Sequence, residues 1–118
     1  MTPIYNRQGR TIAWINKIYI YDLYGRNVLG FINNNAVFTF ECKHLGWFKN
    51  GFFRDKSGYA VAFIQGANNG PITPITQIPP IPPITSIPPI PSIPPLHLTL
   101  PIDKLSWSIL TWENYINS

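Results

Sequence analysis

Short hydrophobic segments separated by polar turns fill residues 4–67, and their side chains suit strands better than helices. Residues 18–21, for example, read Ile-Tyr-Ile-Tyr, a run of the β-branched and aromatic types that are enriched in strands. No stretch in this half keeps the 3.6-residue spacing of apolar side chains that marks an amphipathic helix. The pattern predicts an all-β fold for this part of the chain.

The segments belong to a unit of about 16 residues that occurs four times, and a repeat of this kind constrains the whole fold. The units open with Tyr5-Asn6, Tyr21-Asp22, Phe38-Thr39 and Arg54-Asp55. Three residues after each polar member come Gly9, Gly25, Cys42 and Gly58. The units end with a small, an aromatic and a bulky apolar residue, in Ala13-Trp14-Ile15, Gly30-Phe31-Ile32, Gly46-Trp47-Phe48 and Ala62-Phe63-Ile64.

Each unit is predicted to form a β-hairpin. A short polar side chain followed three residues later by glycine is typical of a type I turn, because the side chain caps the turn and glycine accepts the exit conformation. Turn caps are therefore predicted at Asn6, Asp22, Thr39 and Asp55. The links at residues 16–17, 33–35 and 50–51 are rich in asparagine, which accepts positive φ in tight turns between strands. The second unit has one extra residue before Gly30, for which we expect a β-bulge.

Four hairpins give about eight short antiparallel strands, and we predict that they close into a small barrel with approximate four-fold symmetry. An open sheet of this composition would leave free edges that pair with other molecules. The small residue before each aromatic one is expected where neighbouring units crowd together near the barrel axis.

The run from Leu45 to Gly58, together with its weaker copies, resembles the bacterial four-fold β-flower family. The resemblance covers residues 4–67 and implies a shallow, pseudo-symmetric β-barrel with no established activity. Cys42 in place of glycine and Arg54 in place of an aromatic residue depart from the repeat, so distortion is expected in the third and fourth units. Residues 21–26 are also similar to the YD-repeat of large bacterial shell-forming proteins, whose repeats are longer and occur in long arrays.

A different pattern follows, in which an apolar residue stands at every third position and prolines fill most places between. The apolar positions are Ile72, Ile75, Ile78, Ile81, Ile84, Ile87, Ile90, Ile93 and Leu96. Polyproline II has three residues per turn, so these side chains would form one stripe along an extended arm at residues 68–96. A straight stripe from Ile72 to Leu96, about 74 Å long, exceeds the diameter of about 28 Å expected for the domain, so the arm must wrap, project or bundle.

The arm has three interpretations: a semi-rigid spacer, a segment that docks on the barrel or on neighbouring chains, or a ligand for an aromatic-lined groove. Beyond it, residues 97–118 are predicted to form a strand, in which Leu96, Leu98 and Leu100 alternate with polar residues, and then a short amphipathic helix. Leu105, Ile109, Trp112 and Ile116 have helical spacing, and Asp103 or Ser106 is expected to cap that helix.

Charge separates the two halves. Residues 1–67 carry a net charge of +5, whereas residues 68–118 carry −1. The single Cys42 excludes an intrachain disulfide, and no run of apolar residues is long enough for a membrane-spanning helix. No signal peptide is expected either, so the predicted location is cytoplasmic, with attachment to the membrane periphery as the alternative.

No catalytic constellation is found, and we predict neither enzymatic activity, nor a metal site, nor a cofactor. Cys42 and His44 lie two residues apart, but no second cluster supports a metal or nucleophilic pair, so structural roles are expected. The candidate ligand-binding residues are the four equivalent aromatics, Trp14, Phe31, Trp47 and Phe63. The candidate basic rim consists of Arg10, Arg26, Lys43 and Lys49.

The predicted function is a binding or assembly module whose isoleucine stripe, Ile72 to Ile93, contacts the barrel or another subunit. The expected partner is a second copy or another protein. The alternative is a barrel that binds a lipid or hydrophobic ligand near an anionic membrane surface, where a basic rim would suit the headgroups. Ordinary solubilising charge is the other interpretation of the basic residues, and no nucleic-acid partner is expected.

Overall fold

The computed structural model describes residues 1–89 and 100–117. In these residues eight strands form a closed antiparallel barrel, in which each strand pairs with its neighbours in chain order and β8 closes on β1. The strands are β1 Thr2–Tyr5, β2 Thr11–Asn16, β3 Tyr19–Asp22, β4 Val28–Asn33, β5 Ala36–Phe38, β6 His44–Lys49, β7 Phe52–Arg54 and β8 Ala60–Phe63. The barrel predicted from the repeat is thereby confirmed.

Successive strand pairs form four hairpins, which we number 1 to 4 from β1–β2 to β7–β8. In each hairpin the first polar residue of the repeat accepts a backbone hydrogen bond from the residue three positions later, at 2.9 to 3.1 Å. Its side chain also accepts from turn amides; Asp55 Oδ1, for example, accepts from the N–H groups of Ser57 and Tyr59. The predicted turn caps are confirmed, and their four turns lie together at one end of the barrel, which we call the capped rim.

The predicted links lie at the other end, the opposite rim. Lys17, Asn34, Asn35, Asn50 and Gly51 have positive φ there, as the sequence indicated. On the capped rim Cys42 has φ of 61°, close to the positive φ of the glycines that replace it in the other hairpins. Hairpin 3 therefore keeps the same turn without the glycine.

A β-bulge occurs in all four hairpins, always at the same position of the repeat. The extra bulge residues are Ile12, Leu29, Leu45 and Val61. The additional residue of hairpin 2 instead lengthens its turn, because Asp22 pairs with Asn27 where Asn6 pairs with Arg10. The prediction that this residue would form a bulge was wrong: a capped turn accepts one more residue without disturbing the strand pairing.

The two faces of the sheet are both buried, but against different partners. The interior cluster includes Ile4, Ala13, Ile20 and Phe53, and Tyr115 from the C-terminal helix completes it. Alternation along the strands turns their neighbours Trp14 and Tyr21 to the outside of the barrel, where both are nevertheless buried. The outer face is therefore covered by chain that follows the barrel.

The C-terminal helix α1 spans Trp112–Ile116 and is capped by Thr111, whose hydroxyl accepts from the N–H of Asn114 at 3.1 Å. The predicted short C-terminal helix is thereby confirmed, but the prediction that Asp103 or Ser106 would cap it was wrong. Residues 106–108 are not helical because their backbone pairs with Ala60 at the start of β8. Of the strand expected at residues 96–100, only Leu100 lies within the described residues, and it is in neither a helix nor a strand.

Candidate interaction surface and cavity

The arm follows the capped rim and repeats the same contact at successive hairpins. The carbonyl of Gly9 accepts from the N–H of Gln77 at 2.8 Å, and that of Gly25 accepts from Ser86 at 3.0 Å. In the return segment, residues 100–111, Lys104 donates to the carbonyl of Gly58 at 3.1 Å. Residues 90–99, which separate the last two contacts, lie outside the described part of the chain.

Glycine is required at these turns by close approach as well as by positive φ. A Cβ on Gly9 would collide with the carbonyl of Ile75, and a Cβ on Gly58 would collide with that of Ile102. A Cβ on Gly25 would lie 2.9 Å from the Pro83 ring. The repeat glycines therefore let the arm backbone lie directly on the hairpin turns.

The spacing of the contacts matches the size of the barrel. Gln77 and Ser86 are nine residues apart and bind adjacent hairpins. Nine residues of polyproline II span about 28 Å, and a quarter of the perimeter of the 37 × 35 Å outline is also about 28 Å. An extended arm thus advances by one hairpin for every three apolar positions, which agrees with wrapping rather than projection.

Arg54 joins the two ends of this wrapped chain. Its guanidinium is fully buried and donates to the carbonyls of Asn69, at the start of the arm, and of Lys104, in the return segment, both at 2.8 Å. A third bond of 2.7 Å reaches Gly58, and Asp103 lies 3.6 Å away as the counter-ion. Burial lowers the pKa of Arg54, and the carboxylates of Asp103 and Asp55 oppose that shift.

The isoleucine stripe points away from the barrel. The six stripe residues within the described part of the chain, Ile72, Ile75, Ile78, Ile81, Ile84 and Ile87, are 91% to 98% exposed. Ile102 and Leu105 fall in the same three-residue register and are 79% and 72% exposed. These eight side chains are called the aliphatic belt below. Ile90 and Ile93 of the expected stripe lie outside the described residues.

The arm is held instead by prolines and polar groups. Besides the glycine contacts, Gln77 accepts from the N–H of Thr11 at 2.9 Å, and the hydroxyl of Tyr21 donates to the Ser86 carbonyl at 3.0 Å. The expectation that isoleucines would contact the barrel does not hold for the six described here, because residues between the stripe positions, such as Gln77, Pro83 and Ser86, make the contacts instead.

The basic residues expected on one rim are divided by the structure. Arg10, Arg26 and Lys43 lie in the turns of the capped rim and are exposed. Lys49 lies at the end of β6 toward the opposite rim and pairs with Asp103 at 3.3 Å. Three of the four predicted rim residues therefore share one end of the barrel.

The four equivalent aromatics are buried on the outer face of the sheet. Trp14, Phe31, Trp47 and Phe63 are 1%, 1%, 8% and 2% exposed. Trp107 of the return segment covers Phe63 at a ring distance of 5.9 Å. These rings therefore have a packing role, and none of them lines the cavity described next.

A cavity of about 650 Å³ lies at the capped rim beside α1. Its apolar wall combines bulge residues of three hairpins with helix side chains: Ile12, Leu29, Val61, Trp112 and Ile116. Arg7, Asp22 and Glu113 are at its polar edge. The cavity remains because one short helix is too small to fill the four-fold mouth of the barrel. In α1, Trp112 packs against Phe53, and the hydroxyl of Tyr115 donates to the carbonyl of Arg54. The side of the mouth at hairpins 1 and 2 therefore stays open.

Cys42 lies in the turn of hairpin 3, and His44 begins β6. His44 Nε2 is 2.7 Å from the Gly46 carbonyl, and its ring packs between Phe38 and Trp47. Burial lowers the pKa of His44, with a smaller contribution from the charge of Lys56, while the bond to Gly46 acts in the other direction. Across residues 1–89 and 100–117 no group of three or more His, Cys, Asp or Glu is placed to hold a metal ion.

Comparison with known families bears on the whole chain. A family model described as 4-fold beta flower protein matches residues 2–116. The chain belongs to the 4-fold beta flower family. The match includes the arm and α1, so the wrapped chain is as much a part of this β-flower as the barrel is. This is a family of small β-barrels of unknown function, with no known catalytic role.

No curated protein and no solved structure matches the β-flower chain. No helix in the described residues is long and apolar enough to cross a membrane.

Two functional features were missed by the sequence analysis. The contribution of Tyr115 to the barrel interior has no signal beyond one aromatic residue in an amphipathic segment. The role of Arg54 did leave a signal, because a cation stands where the other units have an aromatic residue. Its meaning becomes visible only when residues 69 and 104 are brought to the same hairpin.

Proposed function

We propose that the protein is a non-enzymatic binding module and that the aliphatic belt is the surface through which it binds. The observation that supports this most strongly is the exposure of eight aliphatic side chains in one register. A row of eight large aliphatic side chains, each at least 72% exposed, is more apolar surface than the single scattered residues that soluble monomers normally expose, and such surface marks interaction sites. The polar side of the same arm is used by the barrel, which leaves the belt for a partner.

A triple belt variant, Ile78→Ser, Ile81→Ser and Ile84→Ser, tests the proposal without disturbing the fold, because these side chains are at least 91% exposed. In hydrophobic interaction chromatography we expect the variant to elute at clearly higher salt than the natural protein. Ile18→Ser is the matched control, since Ile18 is a 46% exposed aliphatic residue on the opposite rim. Equal elution of the triple variant and the natural protein would contradict the proposal.

A second copy of the chain is one candidate partner for the belt. Sedimentation velocity at increasing protein concentration tests this, with the triple variant beside the natural protein. Self-assembly through the belt predicts oligomers for the natural protein and monomers for the variant. Oligomers that persist in the variant would place the contact elsewhere.

The cavity favours a second candidate function, the binding of a small apolar ligand between the barrel mouth and α1. Its volume of about 650 Å³ lies in the range of small-molecule sites, about 300–1,000 Å³. Its apolar wall with a few polar groups at the edge is typical of such sites.

Thermal unfolding with straight-chain alcohols as probes tests the cavity. We expect the unfolding temperature to rise with chain length for the natural protein and not for Leu29→Trp, which fills the cavity. Ile18→Trp adds the same indole on the opposite rim and should respond like the natural protein. Equal stabilisation of Leu29→Trp would exclude the cavity as the binding site.

A further inference from the structure

We propose that the aliphatic belt and the cations of the capped rim together dock the protein on an anionic lipid bilayer. This inference rests on the proposed function, because it names the partner of the belt. A folded protein is the competing partner.

The belt side chains stand apart from one another, which favours a fluid partner. Exposures of 91% to 98% leave Ile72 to Ile87 almost without contacts, and three residues of extended arm separate neighbours by about 9 Å. A protein partner would need a separate complementary pocket for each side chain, since tight interfaces are packed like protein interiors. Acyl chains surround isolated side chains without such complementarity.

The arm also carries few groups that resist transfer from water. Residues 57–102 contain no Asp, Glu, Lys or Arg. Eight of the residues from 71 to 89 are prolines, which have no N–H to leave unpaired. The N–H groups of Gln77 and Ser86 already donate to barrel carbonyls. Desolvation of backbone groups, the usual obstacle to burying irregular chain in lipid, is thereby reduced.

Positive charge borders the belt at the three glycine turns that the arm and the return segment contact. Arg10 follows Gly9, Arg26 follows Gly25, and Lys56 lies in the turn of Gly58. All three cations are exposed. Basic residues near an apolar membrane-binding surface each contribute about 1 kcal/mol of attraction to anionic lipid.

The carboxylates of the same turns accept hydrogen bonds from neighbouring groups of the protein. Both oxygens of Asp22 accept hydrogen bonds, from the N–H of Arg26 and from the side chain of Asn27. Asp55 accepts from two amides and from the hydroxyl of Ser108. Tyr24, 70% exposed in the second turn, adds an amphipathic ring of the type enriched at membrane interfaces.

Flotation with vesicles of phosphatidylcholine containing 30% phosphatidylglycerol, compared with pure phosphatidylcholine, tests the inference on the full chain. We expect binding to the anionic vesicles at low salt that weakens as salt rises. The triple belt variant should bind at least about tenfold more weakly, because each substitution removes aliphatic carbons from the contact. Arg10→Glu combined with Arg26→Glu should also weaken binding at least about tenfold.

The matched controls are Ile18→Ser and Lys17→Glu, which make the same kinds of change on the opposite rim. Both should bind like the natural protein. Absence of binding to anionic vesicles at low salt, or binding that the triple variant retains in full, overturns the lipid inference. Oligomers that dissociate in the triple variant, without vesicle binding, also overturn it but leave the belt as an interaction surface. Failure of the chromatographic test as well would remove the proposed function itself.

Discussion

Tyr21 and Arg54 occupy equivalent positions in hairpins 2 and 4, and each holds chain that passes outside the barrel. Tyr21 does so with one hydrogen bond, from its hydroxyl to the Ser86 carbonyl. Arg54 does so with two, to the carbonyls of Asn69 and Lys104, and it donates a third to Gly58 in the turn of its own hairpin. Both side chains are buried, so the difference lies in how many backbone groups each must satisfy.

The number of chain segments at each hairpin explains the difference. Near Tyr21 the arm makes a single described pass, whereas at Arg54 the start of the arm meets the return segment. The phenol hydroxyl of tyrosine has one O–H to donate, while the guanidinium of arginine has five N–H groups in a plane. The departure from the repeat at Arg54 therefore marks the place where the wrapped chain closes on itself.

Removal of Arg54 is expected to give the largest loss of stability. Arg54→Leu removes the Arg54 donor from three carbonyls, of which only that of Gly58 has another donor described, the N–H of Lys104, and it leaves Asp103 without its buried counter-ion. Unfolding in urea should therefore show a loss of about 3–5 kcal/mol. Arg26→Leu, a change of the same kind at an exposed cation in hairpin 2, should cost less than about 0.5 kcal/mol. A loss below about 1 kcal/mol for Arg54→Leu would contradict the joining role.

Arg54→Lys sharpens the same comparison. An ammonium keeps the charge beside Asp103 but lacks the planar fork that reaches separate carbonyls. We expect it to recover only a minor part of the lost stability, again by urea unfolding. Full recovery would mean that charge, and not the set of hydrogen bonds, is what hairpin 4 requires.

The glycines of the two hairpins should respond unequally to an added methyl group. Both have positive φ, for which alanine costs about 1–2 kcal/mol. In Gly58→Ala the new Cβ also meets the backbone carbonyl of Ile102, whereas in Gly25→Ala it meets the Pro83 side chain. Urea unfolding should therefore show the larger loss for Gly58→Ala. Equal losses would indicate that the return segment moves aside as readily as the arm.

The barrel could be predicted from sequence because its determinants are local and repeated. The turn caps at Asn6, Asp22, Thr39 and Asp55 each act within five residues, and four copies in phase exclude most other folds. For the same reason, the positive φ of Asn50 and Gly51 in the link between hairpins could be predicted. Closure then follows from the cost of free edges rather than from any particular residue.

The surface could be predicted only in part, because it depends on contacts between distant residues. The three-residue register of the isoleucines was visible, but the side of the arm that meets the barrel was not. That choice is set by the carbonyls of Gly9 and Gly25, which the sequence does not relate to Gln77 and Ser86. The cap of α1 was wrongly predicted for the same reason, since residues 106–108 pair with Ala60 and are not helical.

Removal of the hydroxyl group from Tyr115 or from Tyr21 should cause smaller and unequal losses of stability. Tyr115→Phe removes the buried bond to the Arg54 carbonyl, 2.9 Å long, and should lower the free energy of unfolding by about 1–2 kcal/mol. Tyr21→Phe removes the bond to Ser86 at a partly solvated site and should cost about 0.5–1 kcal/mol. Urea unfolding of both variants, with Tyr24→Phe as the exposed control, measures the order; a larger loss for Tyr21→Phe would reverse the comparison.

The smallest predicted change concerns hairpin 3 and depends on pH. Burial lowers the pKa of His44 in the folded protein below its ordinary value of 6.5, so the unfolded chain takes up the proton first as pH falls. The contribution of neutral His44 to stability is therefore present above pH 6.5 and is lost progressively below it. Urea unfolding from pH 7.5 to 5 should show this loss in the natural protein and a weaker one in His44→Asn. Parallel losses in the two proteins would mean that the ring between Phe38 and Trp47 is protonated as easily as a solvated imidazole. Hairpin 3 would then bury its histidine less completely than hairpins 2 and 4 bury Tyr21 and Arg54.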